Sequence, residues 1–330
     1  MNWLITGGCG FLGTNLIRSL MAEGGHRVRV LDNLAVGNRE DLGQAAVFEE
    51  ADASSVGQSA APVELVVGNI KDAELARQVA AGVDVIVHFA ANTGVGPSVE
   101  DPRADCETNV LGTFNYLEAA RAQGVPRFVF ASSGAPIGAV EPPIHEELAA
   151  HPVSPYGASK LAGEGYCSAY WGTFGVETVA LRFGNVYGPG STHKSSVVAK
   201  FLKDALSGAG LEIYGDGSQT RDFIYVDDLI RAVRLAATVP GIGGETFQIA
   251  ANTETTVGEL AERVLGALKE HGVSDVPVDY GEPRVGDVKR NFSDTRKAAE
   301  RLGWRPDYTL DEGLARTIGW FLDEHTAGAV

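Results

Sequence analysis

At 330 residues, 44% of them hydrophobic and 21% charged, the chain is long enough for one large or two closely joined globular domains. Its formal net charge of −16 argues against nucleic-acid binding, so an anionic ligand needs a local cluster of arginine or lysine. The three cysteines form no CxxC pair, the first residues lack a basic leader, and no apolar run approaches the ~20 residues of a membrane span. We therefore expect no disulfide framework, no metal site, no membrane partner and a cytoplasmic location.

Short β-rich runs alternate with helical segments through the first half of the chain. The predicted strands are residues 3–6, 27–31, 64–67, 83–89, 127–131 and 177–181. The predicted helices between them are residues 11–23, 73–81, 105–123 and 156–174, and the Ala/Ser-rich stretch 44–62 is expected to be a loop with at most one short turn of helix. This alternation is typical of a Rossmann-type α/β fold with a doubly wound parallel sheet.

The alternation gives way to mixed segments after about Gly184, with helices predicted at residues 195–207, 226–237, 257–271 and 310–324. We expect a first domain of residues 1–184 and a smaller mixed α/β lobe of residues 185–330 that covers a cleft over the sheet. A strand or helix of the second part is expected to interleave with the first.

A glycine-rich loop, Gly7-Gly-Cys-Gly10-Phe-Leu-Gly13, follows the first predicted strand and opens the first helix. Glycines there allow a tight turn and close approach of a pyrophosphate to the amides at a helix N-terminus. Such a cluster by itself can be only a turn, but Asp32 ends the second strand about 20 residues on, where a carboxylate accepts from a ribose 2′-hydroxyl. An acid there repels a 2′-phosphate, so the sequence favours NAD over NADP.

Small residues also end the third and fourth strands, at Gly68-Asn-Ile70 and His88-Phe-Ala-Ala91. They let a cofactor lie across the carboxyl edge of the sheet. We expect His88 itself to be a packed strand-end histidine without a chemical task.

The helix predicted at 156–174 begins with Tyr156-Gly-Ala-Ser-Lys160. Residues four apart share a helix face, so the Lys160 ammonium can lie beside the Tyr156 phenol. Free tyrosine titrates near pH ~10, and a fixed cation nearby lowers its pKa toward the working range of a general base. The pair predicts a site for proton transfer.

Taken together, these motifs resemble the extended short-chain dehydrogenase/reductase superfamily, and within it the nucleotide-sugar epimerases and dehydratases. The resemblance spans nearly the whole chain. Its motifs, in chain order, are Gly7–Gly13, Asp32-Asn-Leu34, His88–Ala91, Asn109, Ser132-Ser133, Tyr156–Lys160, Arg182-Phe-Gly-Asn185, Arg221-Asp222 and Arg284-Val-Gly-Asp287.

The resemblance implies an NAD site and a homodimer. The residues that it implies for NAD are Gly7, Gly10, Phe11, Leu12, Asp32, Asn33, Asn69, Ile70, Phe89, Ala90, Ala91, Asn109, Tyr156, Lys160 and Phe183. Relatives usually carry aspartate where this chain has Asn69, and an amide can still bond the adenine edge. The dimer is implied to form through helices 105–123 and 156–174 as a four-helix bundle, with which the apolar positions Val110, Phe114 and Leu117 are compatible.

The implied catalytic set is Ser133, Tyr156 and Lys160. Ser133 hydrogen-bonds the reacting sugar hydroxyl, Tyr156 takes its proton, and Lys160 binds the nicotinamide ribose and, with the positive nicotinamide ring, lowers the pKa of the phenol. A hydride then passes from the sugar carbon to NAD and leaves a keto sugar.

The residues after Ser133 distinguish among the relatives. Dehydratases carry an Asp-Glu pair there and UDP-glucuronate decarboxylases a Glu, whereas this chain has Gly134-Ala135, which cannot transfer a proton. Decarboxylases also tend to have Ser where this chain has Asp222. Relatives commonly read Val-Tyr-Gly where Pro136-Ile137-Gly138 stand, so the shape of that part of the sugar pocket stays open. Epimerisation at C4 fits best.

For a UDP-sugar, the resemblance implies that Arg221 and Arg284 bind the diphosphate and ribose and Asn185 the phosphates, because guanidinium forks suit phosphate oxygens. The backbone at Val197 and Val198 is implied to meet uracil.

Thr93, Ser98 and Ser133 are candidates near the sugar. Asn291 stands where a Tyr narrows the pocket in some UDP-galactose epimerases, so N-acetylhexosamines stay possible. His193-Lys194 either are solvated loop residues, which we favour, or bind a C6 carboxylate.

The sequence thus predicts an isomerase, an NAD-dependent nucleotide-sugar 4-epimerase that acts on a UDP-hexose (UDP-glucose/UDP-galactose or their N-acetyl forms) through a 4-keto intermediate. The alternatives are a UDP-glucuronate 4-epimerase and a 4-ketoreductase of a nucleotide deoxysugar. A non-catalytic NAD-binding sensor or scaffold is disfavoured because Tyr156 and Lys160 are both present.

Overall fold

A parallel sheet of eight strands forms the centre of the protein, whose computed structural model describes residues 1–193, 196–282 and 288–326. The elements of the first half, in chain order, are β1 (Asn2–Thr6), α1 (Phe11–Glu23), β2 (Arg27–Asp32), α2 (Arg39–Ala45), β3 (Phe48–Glu50), β4 (Val63–Val67), α3 (Ala73–Val79), β5 (Val85–His88), α4 (Val95–Glu100), α5 (Pro102–Asp105), a π-helical segment (Cys106–Leu111), α6 (Gly112–Gln123), β6 (Arg127–Ser133), α7 (Pro155–Phe174) and β7 (Glu177–Phe183). The predicted Rossmann-type fold is confirmed.

The second half adds short strands and longer helices. They are β8 (Asn185–Tyr187), α8 (Val197–Leu206), β9 (Leu211–Tyr214), β10 (Thr220–Arg221), β11 (Phe223–Tyr225), α9 (Val226–Thr238), β12 (Glu245–Ile249), β13 (Thr255–Thr256), α10 (Val257–Glu270), β14 (Val278–Gly281), α11 (Arg296–Arg301) and α12 (Leu310–Thr326). Six of these strands form three small two-stranded sheets, β8 with β11, β9 with β14 and β10 with β13, while β12 joins the central sheet.

The central sheet has the strand order β12-β7-β6-β5-β1-β2-β4-β3, and every pairing in it is parallel. Its strands are apolar because both faces are covered by helices. On β1, Trp3 and Ile5 belong to one buried cluster and Leu4 to the other, as the alternation of side chains along a strand requires.

The strand order reverses beside β1, whose neighbours are β2 on one side and β5 on the other. In open parallel sheets, ligands bind at the carboxyl ends of the strands at such a reversal. The fold therefore indicates a site where the loops after β1 and β5 meet.

Two local predictions are wrong. The stretch 44–62, predicted as a loop, contains β3, a strand of three residues held at the sheet edge by pairing with β4. The helix predicted at 105–123 is interrupted by a π-helical segment at Cys106–Leu111. Strand β12 of the second half pairs with β7 in the central sheet. A strand or helix interleaved in this way was expected, but its residues were not predicted.

Within the described ranges, none of the helices is long and apolar enough to cross a membrane. The same residues include no group of three or more His, Cys, Asp or Glu placed to hold a metal ion.

Candidate active site

A cleft of about 1200 Å³ opens at the carboxyl ends of β1, β5, β6 and β7 and is covered by residues of the second half. Many of the residues predicted to bind cofactor or substrate line it. They are Gly10, Phe11, Leu12, Phe89, Thr93, Ser133, Tyr156, Lys160, Phe183, Asn185, Val197, Val198 and Arg221.

The glycine loop packs too closely for side chains. A Cβ on Gly7, whose φ is 69°, would lie 2.9 Å from the Ala90 nitrogen, and a Cβ on Gly13 would lie 2.4 Å from the Gly8 Cα. Helix α1 begins at the cleft with Gly10 as its N-cap, which offers no side chain to cap the first turn. An uncapped helix start beside a close-packed turn is suited to a pyrophosphate.

Asp32 connects the end of β2 to this loop. One carboxylate oxygen accepts from the backbone N–H of Cys9 at 2.9 Å and the other from that of Leu34 at 2.8 Å. Burial raises the pKa of Asp32, and these hydrogen bonds oppose the rise. Each oxygen keeps a second lone pair, so the carboxylate can still accept from a ribose hydroxyl. The loop and this acid fit NAD.

The other predicted NAD residues are all described by the structure, but they do not line the cleft. They are Gly7, Asp32, Asn33, Asn69, Ile70, Ala90, Ala91 and Asn109. The Asn69 side-chain oxygen accepts from the Lys71 backbone N–H at 3.0 Å. Ile70 is buried and packs so closely on Gly112 that a Cβ on this glycine would clash with the Ile70 side chain. Their part in cofactor binding stays a prediction.

Two predicted sugar residues also lie off the cleft wall in the described part of the chain. Ser98 is 2% exposed, and its hydroxyl donates to the Val95 carbonyl at 2.7 Å. Asn291 donates its backbone N–H to the Thr220 hydroxyl at 3.2 Å. Arg284 and Lys194 lie outside the described residues.

The loop after β6 sits directly on the first turn of α7. A Cβ on Gly157 would lie 2.6 Å from the Ala135 carbonyl oxygen, so only glycine permits this contact. The helix starts at Ser154, whose hydroxyl accepts from the Gly157 N–H at 3.1 Å. This packing brings the Ser133 hydroxyl into hydrogen-bond contact with Tyr156.

Lys160 lies one turn further along α7 and is 4% exposed. Its ammonium donates to the Ala131 carbonyl at 2.8 Å and lies 5.9 Å from the centre of the Tyr156 ring. Burial lowers the pKa of Lys160 to about 8, and the carboxylates of Asp105 and Glu164 oppose that change.

The predicted lowering of the Tyr156 pKa does not occur among the protein's own groups. Burial raises this pKa to about 12, the hydrogen bond from Ser133 lowers it, and the charge of Asp105 raises it further. The desolvation of a phenolate therefore outweighs any effect of the Lys160 ammonium, whose nitrogen is directed to Ala131.

Ile137, which stands where relatives commonly carry Tyr, is fully buried and does not line the cleft. The next residue, Gly138, has a φ of 78°, and a Cβ on it would lie 2.0 Å from the His151 carbonyl oxygen. Ser133 is the last residue of this loop that lines the cleft.

On the opposite wall, the Arg221 guanidinium donates to the carbonyls of Thr220 and Val288, each at 2.7 Å. Sequence reasoning missed several neighbours on this wall, which are Lys200, Glu212, Tyr214 and Gln219. Of these, Tyr214 and Gln219 lie just before Arg221 in the sequence, and Lys200 and Glu212 belong to no motif. His193, predicted to be a solvated loop residue, lines the cleft and pairs with Asp41 of α2 at 3.2 Å.

His88 is packed as predicted. One ring nitrogen lies 2.9 Å from the Thr6 hydroxyl and the other 3.2 Å from that of Thr113. Burial and the charge of Lys160 lower the pKa of His88 to about 3, so the ring is neutral.

The sequence profile of the NAD dependent epimerase/dehydratase family matches residues 3–250. The chain belongs to this family. The family predicted from the motifs is thereby confirmed, and its members use the cofactor that Asp32 and the glycine loop predict.

Individual members of the family resemble the chain over nearly its whole length. It is 38% identical over 326 residues to UDP-glucose 4-epimerase of Mycolicibacterium smegmatis, covering 97% of this chain and 98% of the relative. It is 35% identical over 336 residues to a dTDP-glucose 4,6-dehydratase of Streptomyces antibioticus, covering 98% of this chain and 93% of the relative. The crystal structure of Thermotoga maritima UDP-glucose 4-epimerase with UDP-glucose superposes with a TM-score of 0.87 at 34% identity, covering 98% of this chain and all of the other.

In this family member the Tyr156 phenol lines the cleft together with the Ser133 hydroxyl and the Lys160 ammonium. Gly134 and Ala135 follow Ser133 and carry no acid or base. The arrangement can move a proton to and from one hydroxyl.

Proposed function

We propose that this protein is an NAD-dependent nucleotide-sugar 4-epimerase acting on a UDP-hexose, either UDP-glucose/UDP-galactose or the N-acetyl forms. The observation that carries the proposal is the meeting of Ser133, Tyr156 and Lys160 at the cleft, followed by Gly134 and Ala135. A dehydratase needs a second acid/base pair to eliminate water, and this loop has none.

In the proposed reaction, the Ser133 hydroxyl binds the C4 hydroxyl of the sugar and Tyr156 takes its proton as general base. Bound NAD supplies the acceptor, and later the donor, of the C4 hydride. Lys160 keeps a positive charge next to the phenolate. After the 4-keto sugar has turned over in the cleft and presents the opposite face of C4 to the returning hydride, Tyr156 gives its proton back to the C4 oxygen.

We propose that residues 1–184 hold NAD, chiefly through the glycine loop, Asp32 and Lys160, and that residues 185–330 bind the nucleotide sugar. Arg221 and Asn185 on the cleft wall support the assignment of the diphosphate to this side. Arg284 is proposed as a second diphosphate contact, and the backbone at Val197 and Val198 as the uracil contact.

We propose a homodimer built from α6 and α7 of each subunit. Apolar side chains on this face support it, because Leu111, Tyr166 and Phe174 are 53%, 40% and 51% exposed. Phe114 of α6 packs edge-on against Tyr166 of α7, with ring centres 5.5 Å apart. Multi-angle light scattering should give twice the chain mass.

We propose a cytoplasmic location. All three cysteines are free, and Cys106 is exposed, as expected in a reducing compartment.

The experiment that tests the function is a panel of UDP-sugars incubated with pure protein without added NAD. Interconversion of a UDP-hexose pair is expected, because an epimerase regenerates its cofactor in each cycle. Interconversion of UDP-glucuronate and UDP-galacturonate alone would instead identify the hexuronate enzyme. Turnover that requires added reduced coenzyme would identify a 4-ketoreductase, and no turnover with bound NAD would indicate a sensor.

A further inference from the structure

Asp105 is a buried carboxylate behind the Tyr156–Lys160 pair that the proposed reaction does not use. It is the last residue of α5 and 2% exposed. One of its oxygens accepts from the Asn109 side-chain amide at 2.9 Å.

The Asn109 amide is oriented so that its nitrogen, and not its oxygen, faces Asp105. Its oxygen accepts from the Asn92 backbone N–H at 2.8 Å, and its nitrogen also lies 2.9 Å from the Asn92 carbonyl. The nitrogen is 3.2 Å from the Ser159 hydroxyl, which in turn donates to the Tyr156 carbonyl at 3.0 Å. A chain of hydrogen bonds therefore runs from Asp105 to the helix turn that carries Tyr156.

A π-helical segment carries part of this chain. It begins at Cys106, directly after Asp105, and includes Asn109. Single π turns recur at functional sites. Asp105 and Asn109 are four residues apart and lie side by side, and Asn109 contacts Ser159 of α7.

The second buried carboxylate near Lys160 is already neutralised. Glu164 accepts from the Arg182 guanidinium at 2.8 and 2.7 Å and from the Ser132 hydroxyl at 2.5 Å. Asp105, by contrast, has no ion-pair partner within 4.0 Å among the residues that the structure describes. Its hydrogen bond to Asn109, which in turn contacts Ser159, holds this carboxylate against the turn of α7 that leads into Lys160.

We propose that Asp105 is a positioning residue that serves as the counter-charge of the Lys160 ammonium and, through Asn109, fixes the turn of α7 that carries Tyr156. The inference rests on the proposed function for the task of Lys160, but the charge relation itself can be tested without turnover.

Glu164 also opposes the effect of burial on the pKa of Lys160, but its charge is shared with the Arg182 guanidinium. Tyr156 and Glu164 lie on its own helix, the first protonated and the second paired with arginine. His88 of β5 is neutral, because burial and Lys160 lower its pKa to about 3. Asp105 opposes the effect of burial on the pKa of Lys160 and raises the pKa of Tyr156. Without its charge, both pKa values should fall.

The test is Asp105→Asn, which keeps an oxygen that can accept from Asn109 and removes only the charge. Lysine-selective ¹³C NMR of the whole protein, with the signal assigned by Lys160→Arg, should give a Lys160 titration midpoint about one pH unit lower than in the unmodified protein. An unchanged midpoint would overturn the proposal. Should Asp105→Asn fail to fold, Asp105→Ser removes the same charge and is judged by the same two outcomes.

The matched control is Glu107→Gln, two residues away on the π-helical segment. Glu107 is 40% exposed at its side chain and pairs with Arg103 at 3.3 Å. Removing this solvated charge should leave the Lys160 midpoint unchanged, and a shift equal to that of Asp105→Asn would contradict a specific role for Asp105.

A pH profile of kcat/KM provides a second readout. In Asp105→Asn the acidic and the basic limb of this profile should both move to lower pH. If Asp105 had only a structural role, the variant would have a lower rate with both limbs at their original pH. An unmodified protein without epimerase turnover would refute the proposed function, and the NMR titration would still decide the role of Asp105.

Discussion

Tyr156 and Lys160 share one helix face, and burial affects them in opposite directions. It raises the pKa of the phenol to about 12 and lowers that of the ammonium to about 8. Both shifts favour the neutral form, because desolvation penalises charge of either sign. The protein groups alone therefore keep the phenol protonated at neutral pH, and the lowering required of a base has to come from the positive charge of bound NAD.

Replacing Tyr156 by Phe removes the phenol that serves as general base in the proposed reaction. Turnover should fall by roughly 10²- to 10⁴-fold, the usual contribution of a general base, while the protein folds and retains NAD. Initial rates and the NAD released on heating measure the two effects. Tyr166→Phe, on the exposed face of the same helix, serves as the control and should keep full activity. Unchanged turnover in Tyr156→Phe would refute the assignment.

At the residue level, the sequence predicted the glycine loop, Ser133, Tyr156 and Lys160 because each belongs to a motif with regular spacing. It missed Asp105 because a single aspartate inside a helical stretch has no pattern of its own. Its partner Asn109 contacts Asn92 and Ser159, which are far apart in sequence, and only the fold brings them together. Ser98 was misplaced because a sequence does not show which way a hydroxyl points.

At the level of elements, the contact between the β6 loop and α7 sets the site. Gly157 is a helix residue in direct contact with the Ala135 carbonyl, so the separation of these two elements depends on the absence of one methyl group. Helix propensity alone would favour alanine at this position.

Gly157→Ala should therefore displace the Ser133 loop and reduce turnover by at least about tenfold, since small misplacements of catalytic groups are costly. Gly165→Ala is the matched control on the same helix, because a Cβ there meets nothing within 4 Å. It should raise stability by up to about 1 kcal/mol and leave turnover unchanged. Urea unfolding and initial rates measure both. Equal activity in the two variants would contradict the account.

Strand β5 is tied to β1 and α6 by His88, which bonds Thr6 and Thr113. Its pKa is about 3 in the folded protein against 6.5 as the unperturbed value, so the unfolded chain binds an extra proton between these limits. The stabilisation is fully present above pH ~6.5 and is lost as the pH falls toward about 3.

The prediction is that stability falls more steeply with acid in the unmodified protein than in His88→Gln. Between pH 6 and 4 the difference in slope should reach up to about 1.4 kcal/mol per pH unit, measured by urea unfolding. His271→Gln, at the exposed end of α10, should keep the slope of the unmodified protein. Parallel slopes for His88→Gln and the unmodified protein would show that the imidazole is not held neutral.

Element boundaries were predictable where hydrophobic periodicity is strong and unpredictable where tertiary contacts decide. Helices α9 and α10 match their predictions to within one residue. Strand β3 has three residues, none of them buried, so only its pairing with β4 identifies it. The π-helical segment keeps a helical composition, and its widened turn leaves no mark in the periodicity.

At the level of the whole molecule, the two halves of the chain share one sheet. Strand β12 comes from the second half and continues the sheet beside β7. The same side of the sheet carries β6 and β7, which end at Ser133 and Phe183 in the cleft. The second half therefore covers the cleft and also extends the scaffold that positions the site.

The global charge of −16 makes the approach of a diphosphate unfavourable, so binding has to rely on local cations in the cleft. Arg221, Lys200 and Arg18 line it, together with several carboxylates. At the sequence level, the net charge already argued against nucleic acid as a partner. Which sugar binds depends on the shape of the cleft, which only the folded loops define.

The most direct test of the central claim follows a hydrogen atom. UDP-galactose deuterated at C4 is incubated with the pure protein in ordinary water without added NAD, and the UDP-glucose formed is analysed by NMR and mass spectrometry. The account predicts that the deuterium is retained at C4, because the hydride leaves and returns within one active site. Product carrying protium at C4, or no product from this or any other C4-deuterated UDP-hexose, would contradict it.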